Sequence, residues 1–214
     1  DHKSVVGLSM EEAEGLLSAQ KLPVVIFSVV SETAQINEVV SQSSASNELT
    51  LEVCIGKITD PVLFPDPNLE IAIRDALSIP SGQAIIASDL SDLTVLDISQ
   101  RGIISLEGLQ YAVNLTQITA NNNEITELSP LAYLGHLRTL YLSDNRISDL
   151  SPLIYLRNLK TLYLESNQIS DLSALEGIDL YDVSLGANNI TDLSPLSSAV
   201  HMQRLNLFRN RVSD

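Results

Sequence analysis

The segment LRTLYLSDNRISDLSPL at 137–153 recurs almost unchanged as LKTLYLESNQISDLSAL at 159–175, and this repetition constrains the chain more than anything else in it. Divergent copies lie on both sides and align on one asparagine each: Asn123, Asn145, Asn167, Asn188 and Asn210, spaced 22, 22, 21 and 22 residues apart. An earlier copy, LTVLDISQRGI, carries Arg101 in that place. A unit this short can hide its apolar faces only against neighbouring units, so the period demands a stacked coil of constant circumference. Leu140 and Leu142, like Leu162 and Leu164, are predicted on the inward face of a short strand; Ile147, Leu150, Leu153, Leu156 and Leu159 are predicted to close the turn. The 21-residue spacing is expected to lose its residue within EGIDLYDV (176–183), on the convex wall, because a deletion inside the strand would flip its side chains to the wrong face.

The pattern L-x-x-L-x-L-x-x-N is that of a leucine-rich repeat. Its asparagine column is expected to be a structural ladder, each side-chain amide bonding backbone groups at the corner that would otherwise be buried unpaired. A second column runs Glu127, Asp149, Asp171, Asp192 and Asp214. Carboxylates stacked about 4.8 Å apart resemble a calcium track, but the column lacks the six to eight oxygen ligands that calcium takes. The alternative is that each Asp bonds turn backbone ahead of Ser-Pro, with Ser151 as a cap and Pro152 opening a short helical turn.

With the asparagine at the corner, strand residues two, four and six places before it face outward. The six copies then present Val95, Asp97 and Ser99; Gln117, Thr119 and Asn121; Thr139, Tyr141 and Ser143; Thr161, Tyr163 and Glu165; Asp182, Ser184 and Gly186; Arg204, Asn206 and Phe208. Three of the nine aromatic residues, Tyr141, Tyr163 and Phe208, stand on this concave face. Flanked by Arg138 and Lys160 and joined by Glu165, they form a candidate ligand-binding strip. The competing reading is that Tyr141 and Tyr163 simply stack on one another.

A solenoid needs its first apolar face covered. FPDPNLEIAIRDAL (64–77) suits that task, with Asp66 as N-cap, Pro67 in the first helical position, and Leu69, Ile73 and Ala76 or Leu77 on one face. This run, followed by IIASDLSDLTVLDIS and by ISDLSPL turns, resembles the bacterial internalin-like leucine-rich-repeat family over residues 64–214. The resemblance implies a helical N-terminal cap, 22-residue turns, exposure on a bacterial surface, and binding of other proteins through the concave strands.

Before the cap the periodicity changes. Ser9-Met10-Glu11-Glu12 is a capping box opening a helix expected to end near Gln20, with strand-like segments at 22–30 and 48–55. In Thr50–Ile55 the alternation sends Leu51, Val53 and Ile55 to one face and Cys54 to the other; with no basic neighbour apparent, Cys54 is expected to be inert. The features VVG-x-S-x-E-E-A, VVSQS and the last alternating strand resemble a PASTA domain, which implies an extracellular module of one helix and three strands. SASNEL stands where that family has Pro and Gly, which favours a spacer over muropeptide or β-lactam binding.

The expected organisation is therefore a small α+β PASTA-like domain at 1–60, a helical cap at 61–90, and a leucine-rich-repeat solenoid at 91–214, with parallel strands on the concave face and a short helical or irregular convex side. The net charge of −15 contains no basic run, which disfavours nucleic acid and anionic membranes as partners. One cysteine excludes an intrachain disulfide, and no apolar run reaches the roughly 18 residues of a membrane span. His2, His136 and His201 are scattered, with no catalytic triad, metal-spaced cluster or phosphate loop, so no catalytic residue, metal or cofactor is expected. Beginning at Asp1 and stopping at Asp214 in mid-turn, the chain is expected to be a segment of a longer one. The function these features favour is recognition of a protein or cell-wall component by an extracellular or wall-associated bacterial protein. The rivals are a structural or sensory ectodomain and, if a deep pocket gathered perturbed carboxylates, an enzyme.

Overall fold

Each copy of the repeat forms one three-residue strand centred on an aliphatic residue, Leu96, Ile118, Leu140, Leu162, Val183 or Leu205. These are β4 (Val95–Asp97), β5 (Gln117–Thr119), β6 (Thr139–Tyr141), β7 (Thr161–Tyr163), β8 (Asp182–Ser184) and β9 (Arg204–Asn206). They pair in sequence order as a six-stranded parallel sheet, with Val95, Gln117, Thr139, Thr161, Asp182 and Arg204 in one register column. The computed structural model describes residues 61–212 throughout and, in the first sixty, residues 6, 8, 9, 13 and 59 and three strands.

Those three are β1 (Val24–Val30), β2 (Val39–Ala45) and β3 (Glu48–Gly56). They form a separate sheet in the order β1-β3-β2, β1 parallel and β2 antiparallel to β3. Leu51 is buried, and Glu52, which alternation places on the opposite face, is half-buried. Ala13 is helical and buried; the rest of the helix expected to end near Gln20 lies outside the described residues, as do the side chains of Val53, Cys54 and Ile55.

The solenoid core is a set of stacked columns. Leu96, Ile118, Leu140, Leu162 and Val183 fill the strand layer, and Ile103, Ile125, Ile147, Ile169 and Ile190 the layer beyond the corner, all buried. Each such side chain contributes roughly 1.5–3 kcal/mol by leaving water. Because the columns run unbroken from the first turn to the fifth, they form one continuous core; in the sixth turn Leu205 is exposed. Opposite the sheet the chain makes short 3-10 helices, Leu109–Tyr111, Ser129–Leu131, Ser151–Leu153, Ser173–Leu175 and Ser194–Ser198. The short turn keeps β7 and β8 in register, and its missing residue falls at the convex wall's end. Leu159 N–H bonds Leu156 carbonyl in the 22-residue turn, whereas Leu180 N–H bonds Ile178 carbonyl, one residue tighter.

The corner amides bond as a ladder between turns. Asn167 Oδ1 accepts the Ile147 N–H at 2.9 Å, while its Nδ2 donates to the carbonyls of Leu142 (3.0 Å) and Leu164 (3.1 Å). Asn145 does the same with Ile125, Ala120 and Leu142, and Asn188 with Ile169, Leu164 and Leu185. At the array's start Asn123 accepts from both Arg101 N–H and Ile103 N–H, and near its end Asn210 serves Ile190 while half-buried. The residue preceding the corner is left-handed in every copy: Gln100, Asn122, Asp144, Ser166, Ala187 and Arg209 all have φ between 53° and 59°. Asn and Asp tolerate that conformation; Ala187 has no side chain that compensates for it.

The acidic column acts locally, and Ser151 is not the cap. Asp149 accepts the Ser151 N–H and hydroxyl, both at 2.8 Å, so the carboxylate two residues upstream closes the start of the 3-10 helix and Ser151 is its first residue. Asp171 and Asp192 bond Ser173 and Ser194 in the same way, and these bonds hold both carboxyls below their ordinary value of 3.8. Glu127 is exposed, and Asp214 lies outside the described residues.

The cap is α1 (Pro67–Leu77), followed by α2 (Ala87–Leu90). Leu69, Ala72 and Ile73 are buried; Leu77 packs half-buried on the core, and Ala76 is exposed. Asp66 is buried and does two jobs. One oxygen caps α1 through Asn68 N–H (2.9 Å) and Leu69 N–H (3.3 Å); the other takes Ile104 N–H (2.6 Å) and Ser105 N–H (3.1 Å) from the first turn of the coil. Burial alone would raise its carboxyl; the four backbone donors outweigh it and set the net shift below 3.8.

Asn145→Ala is expected to cost about 1–3 kcal/mol, since it strands buried backbone groups in two turns; an unchanged denaturation midpoint would contradict the ladder. Ala187→Gly should stabilise the chain by about 0.5–1 kcal/mol by relieving left-handed strain, measured by urea unfolding. Asp66→Ala should cost about 2–4 kcal/mol, the sum of a cap and two charge-assisted bonds. A carboxyl lowered by folding stabilises above its unfolded pKa and loses that contribution as pH falls through the folded value. The advantage over Asp66→Asn should therefore be complete at neutral pH and close below about pH 4 in a pH series of unfolding curves.

Candidate functional site

Strand alternation turns one face of β4–β8 into the core and leaves the other on the concave surface, which β9 extends with all three residues exposed. Parallel register sets Tyr141 directly beside Tyr163, with ring centroids 5.1 Å apart and planes at 89°, an edge-to-face pair. Both rings are half-buried. The Tyr163 hydroxyl donates to Asp182 Oδ2 at 3.1 Å, and the same oxygen receives Arg204 Nη2 at 2.7 Å. Partial burial, then the bond to Asp182 and its charge, raise the Tyr163 phenol above 10.0.

Two residues past the end of β7, Glu165 reaches across two neighbouring turns. Its Oε1 accepts the Ser184 hydroxyl at 2.5 Å and Asn206 Nδ2 at 2.6 Å. Alternation marks Ser184 and Gly186 as outward, yet both are buried, Ser184 where it bonds Glu165. Tyr163, Glu165, Asp182, Ser184, Arg204 and Asn206 line an open depression of ≈ 540 Å³.

The other residues of the strip are set apart from this cluster. Phe208 lies past the end of β9, 65% exposed, with the Arg209 guanidinium carbon 5.0 Å from its ring centre. Arg138 is exposed just before β6. Lys160, just before β7, is turned along the flank, where its Nζ donates to the Asp179 carbonyl (2.8 Å) and lies 3.3 Å from its carboxylate. His201 Nδ1 meets that carboxylate at 2.9 Å, and its ring lies parallel to Tyr181 with centroids 6.5 Å apart. Structure thus joins Tyr141, Tyr163 and Glu165 through strand register and places Lys160 in a flank cluster with Asp179 and His201.

Three features escaped the sequence reading: the chain of contacts from Tyr163 to Asp182 and from Asp182 to Arg204, the reach of Glu165, and a second aromatic column. Tyr111, Tyr133 and Tyr155, half-buried on the 3-10 side, repeat at the 22-residue period, a signal available in the sequence; Tyr133 and Tyr155 lie 6.1 Å apart. Among the described residues no group of three or more His, Cys, Asp or Glu side chains is placed to hold a metal ion. No described helix is long and apolar enough to cross a membrane.

A helical cap, a parallel sheet with one strand per repeat and 3-10 helices on the opposite side define a leucine-rich-repeat solenoid, and the profile for Leucine Rich repeats (2 copies) matches residues 135–177. An internalin C2 structure from Listeria monocytogenes is 32% identical with a TM-score of 0.56, the alignment covering 71% of this chain and 77% of that one. The chain belongs to the internalin family. Internalin F of the same organism is 35% identical with a TM-score of 0.70 over 72% of this chain; the chain spans 48% of that structure's length. A leucine-rich-repeat protein of Leptospira interrogans, 23% identical with a TM-score of 0.57 over 77% of this chain and 38% of its own, shares the fold. No curated protein matches the chain.

Proposed function

We propose that the protein is a binding module of a bacterial surface, recognising a protein or cell-wall ligand through the concave strip centred on Tyr141, Tyr163 and Glu165, with Arg138, Lys160 and Phe208 at its margins. The observation that carries this reading is the Tyr141–Tyr163 pair standing half-exposed on the strand face beside an open depression. Large, rigid side chains with a polar tip are the anchors that interfaces favour. Family membership supports a binding role over a catalytic one, and an extracellular or wall-associated location fits it.

Residues 1–60 are best taken as a PASTA-like module, 61–90 as the cap and 91–214 as the repeat array. The three-stranded sheet in the order β1-β3-β2 supports a separate folding unit before the cap. In this reading it acts as a spacer that holds the array away from the wall.

A benzoylphenylalanine crosslinker placed at Tyr141 should give adducts with either isolated sacculi or a cell-surface protein extract. The same group at Ile154, exposed on the opposite side, should give none. In a pull-down from the same sacculi or extract, Tyr141→Ser/Tyr163→Ser should abolish capture while the chain keeps a cooperative unfolding transition, losing the pair's own roughly 0.5–1.5 kcal/mol and the buried ring area besides. Equal adducts from both positions, or undiminished capture by the double variant, would sink the concave-face reading.

A further inference from the structure

We propose that the concave surface around Tyr163 receives a basic polypeptide segment, with a lysine or arginine side chain seated among the Tyr141–Tyr163 pair, Glu165 and Asp182. This rests on the concave face being the ligand surface and adds the chemistry of the ligand.

Glu165 carries the argument furthest. Elsewhere in the cap and coil, carboxylates either pair with a cation, as Glu70 with Arg74, Asp75 with Arg101, Glu124 with Arg146 and Asp179 with Lys160, or close a helix start through neutral donors, as Asp66, Asp149, Asp171 and Asp192 do. Glu165, unlike these, stands on the concave face, held on one oxygen by two neutral side-chain donors, the Ser184 hydroxyl and the Asn206 amide, contributed by the next two turns. Among the described residues no cation pairs with it. Three turns therefore order a negative charge on the concave face and leave it uncompensated, an arrangement preorganised for a positive charge from outside.

Asp182 adds a second carboxylate in the same depression. Its partner Arg204 has a side chain 76% exposed while that of Asp182 is 16% exposed, so the guanidinium can turn out into solvent as an incoming cation takes its place on the carboxylate. The Tyr141 and Tyr163 rings beside these groups offer aromatic faces to a guanidinium or ammonium and apolar surface to its methylene stem. At long range the net charge of −15 draws basic partners and repels acidic ones. An acidic or phosphorylated ligand would place like charges against Glu165 and Asp182.

The test uses the whole 214-residue chain, isotope-labelled, and three probes: a short peptide of alternating lysine and serine, its glutamate-serine counterpart, and a soluble muropeptide. The lysine peptide should shift the amides of Tyr163, Glu165, Asp182 and Asn206, and the glutamate peptide should shift none. Glu165→Gln/Asp182→Asn should weaken the lysine peptide about tenfold or more, as expected for losing close charge contacts. Asp171→Asn/Asp192→Asn, with the same change in net charge on the convex side, should stay within about twofold. Equal loss in both variants would reduce the effect to diffuse attraction and overturn the proposal. So would shifts at these amides from the muropeptide alone, or none from the lysine peptide. In those cases crosslinking from position 141 still judges the concave-face reading separately.

Discussion

Everything in the solenoid depends on keeping backbone polar groups paired at a corner that the apolar stack has closed to water. A buried amide without a partner costs free energy comparable to a lost hydrogen bond, and one such corner recurs in every turn. The asparagine amide answers it by accepting from one turn and donating to two, as Asn167 does with Ile147, Leu142 and Leu164. Once that exchange is in place the strand ahead of it cannot slip, and its outward residues line up from turn to turn. The concave surface is thus a consequence of the corner, and Tyr141 meets Tyr163 because Asn145 and Asn167 hold equivalent places.

At the N-terminal end the same need is met by a charged group. Asp66 divides its oxygens between the helix it caps and the Ile104 and Ser105 amides of the first turn. That first turn carries Arg101 where later turns carry asparagine, and Asn123 of the following turn supplies the Arg101 and Ile103 amides. The capping helix is therefore hydrogen-bonded into the coil as well as packed against it.

The repeat, its register, the cap and the one-residue shortening of the convex wall were legible in the sequence because each leaves a one-dimensional trace: a period, an N-cap with proline, a missing residue. The Asp66 bridge to Ile104 was not, because nothing in the spacing between residues 66 and 104 records it. The Asp149 contact to Ser151 is local, and the Asp column ahead of Ser-Pro made it legible as a bond to turn backbone; only the cap role given to Ser151 fails, since that serine is the first residue of the 3-10 helix. The concave strip was legible as a set of positions but not as a network. Alternation places Glu165 and Ser184 outward, yet only three-dimensional stacking shows Glu165 bonding Ser184 in the next turn and Asn206 in the one after. Lys160 shows the converse, adjacent to β7 in sequence but drawn to Asp179 on the flank.

The ladder also has a direction. The Ile147 amide is satisfied by Asn167, that of Ile169 by Asn188, and that of Ile190 by Asn210, always from the following turn. A turn leaving the ribosome is therefore unfinished until its successor has emerged, and the growing end is always one corner short. The upstream start has its own closure, in Asp66. Assembly of such a coil is expected to run from the cap forward as a zipper whose teeth are supplied one turn late, so each new repeat completes its predecessor before it is complete itself.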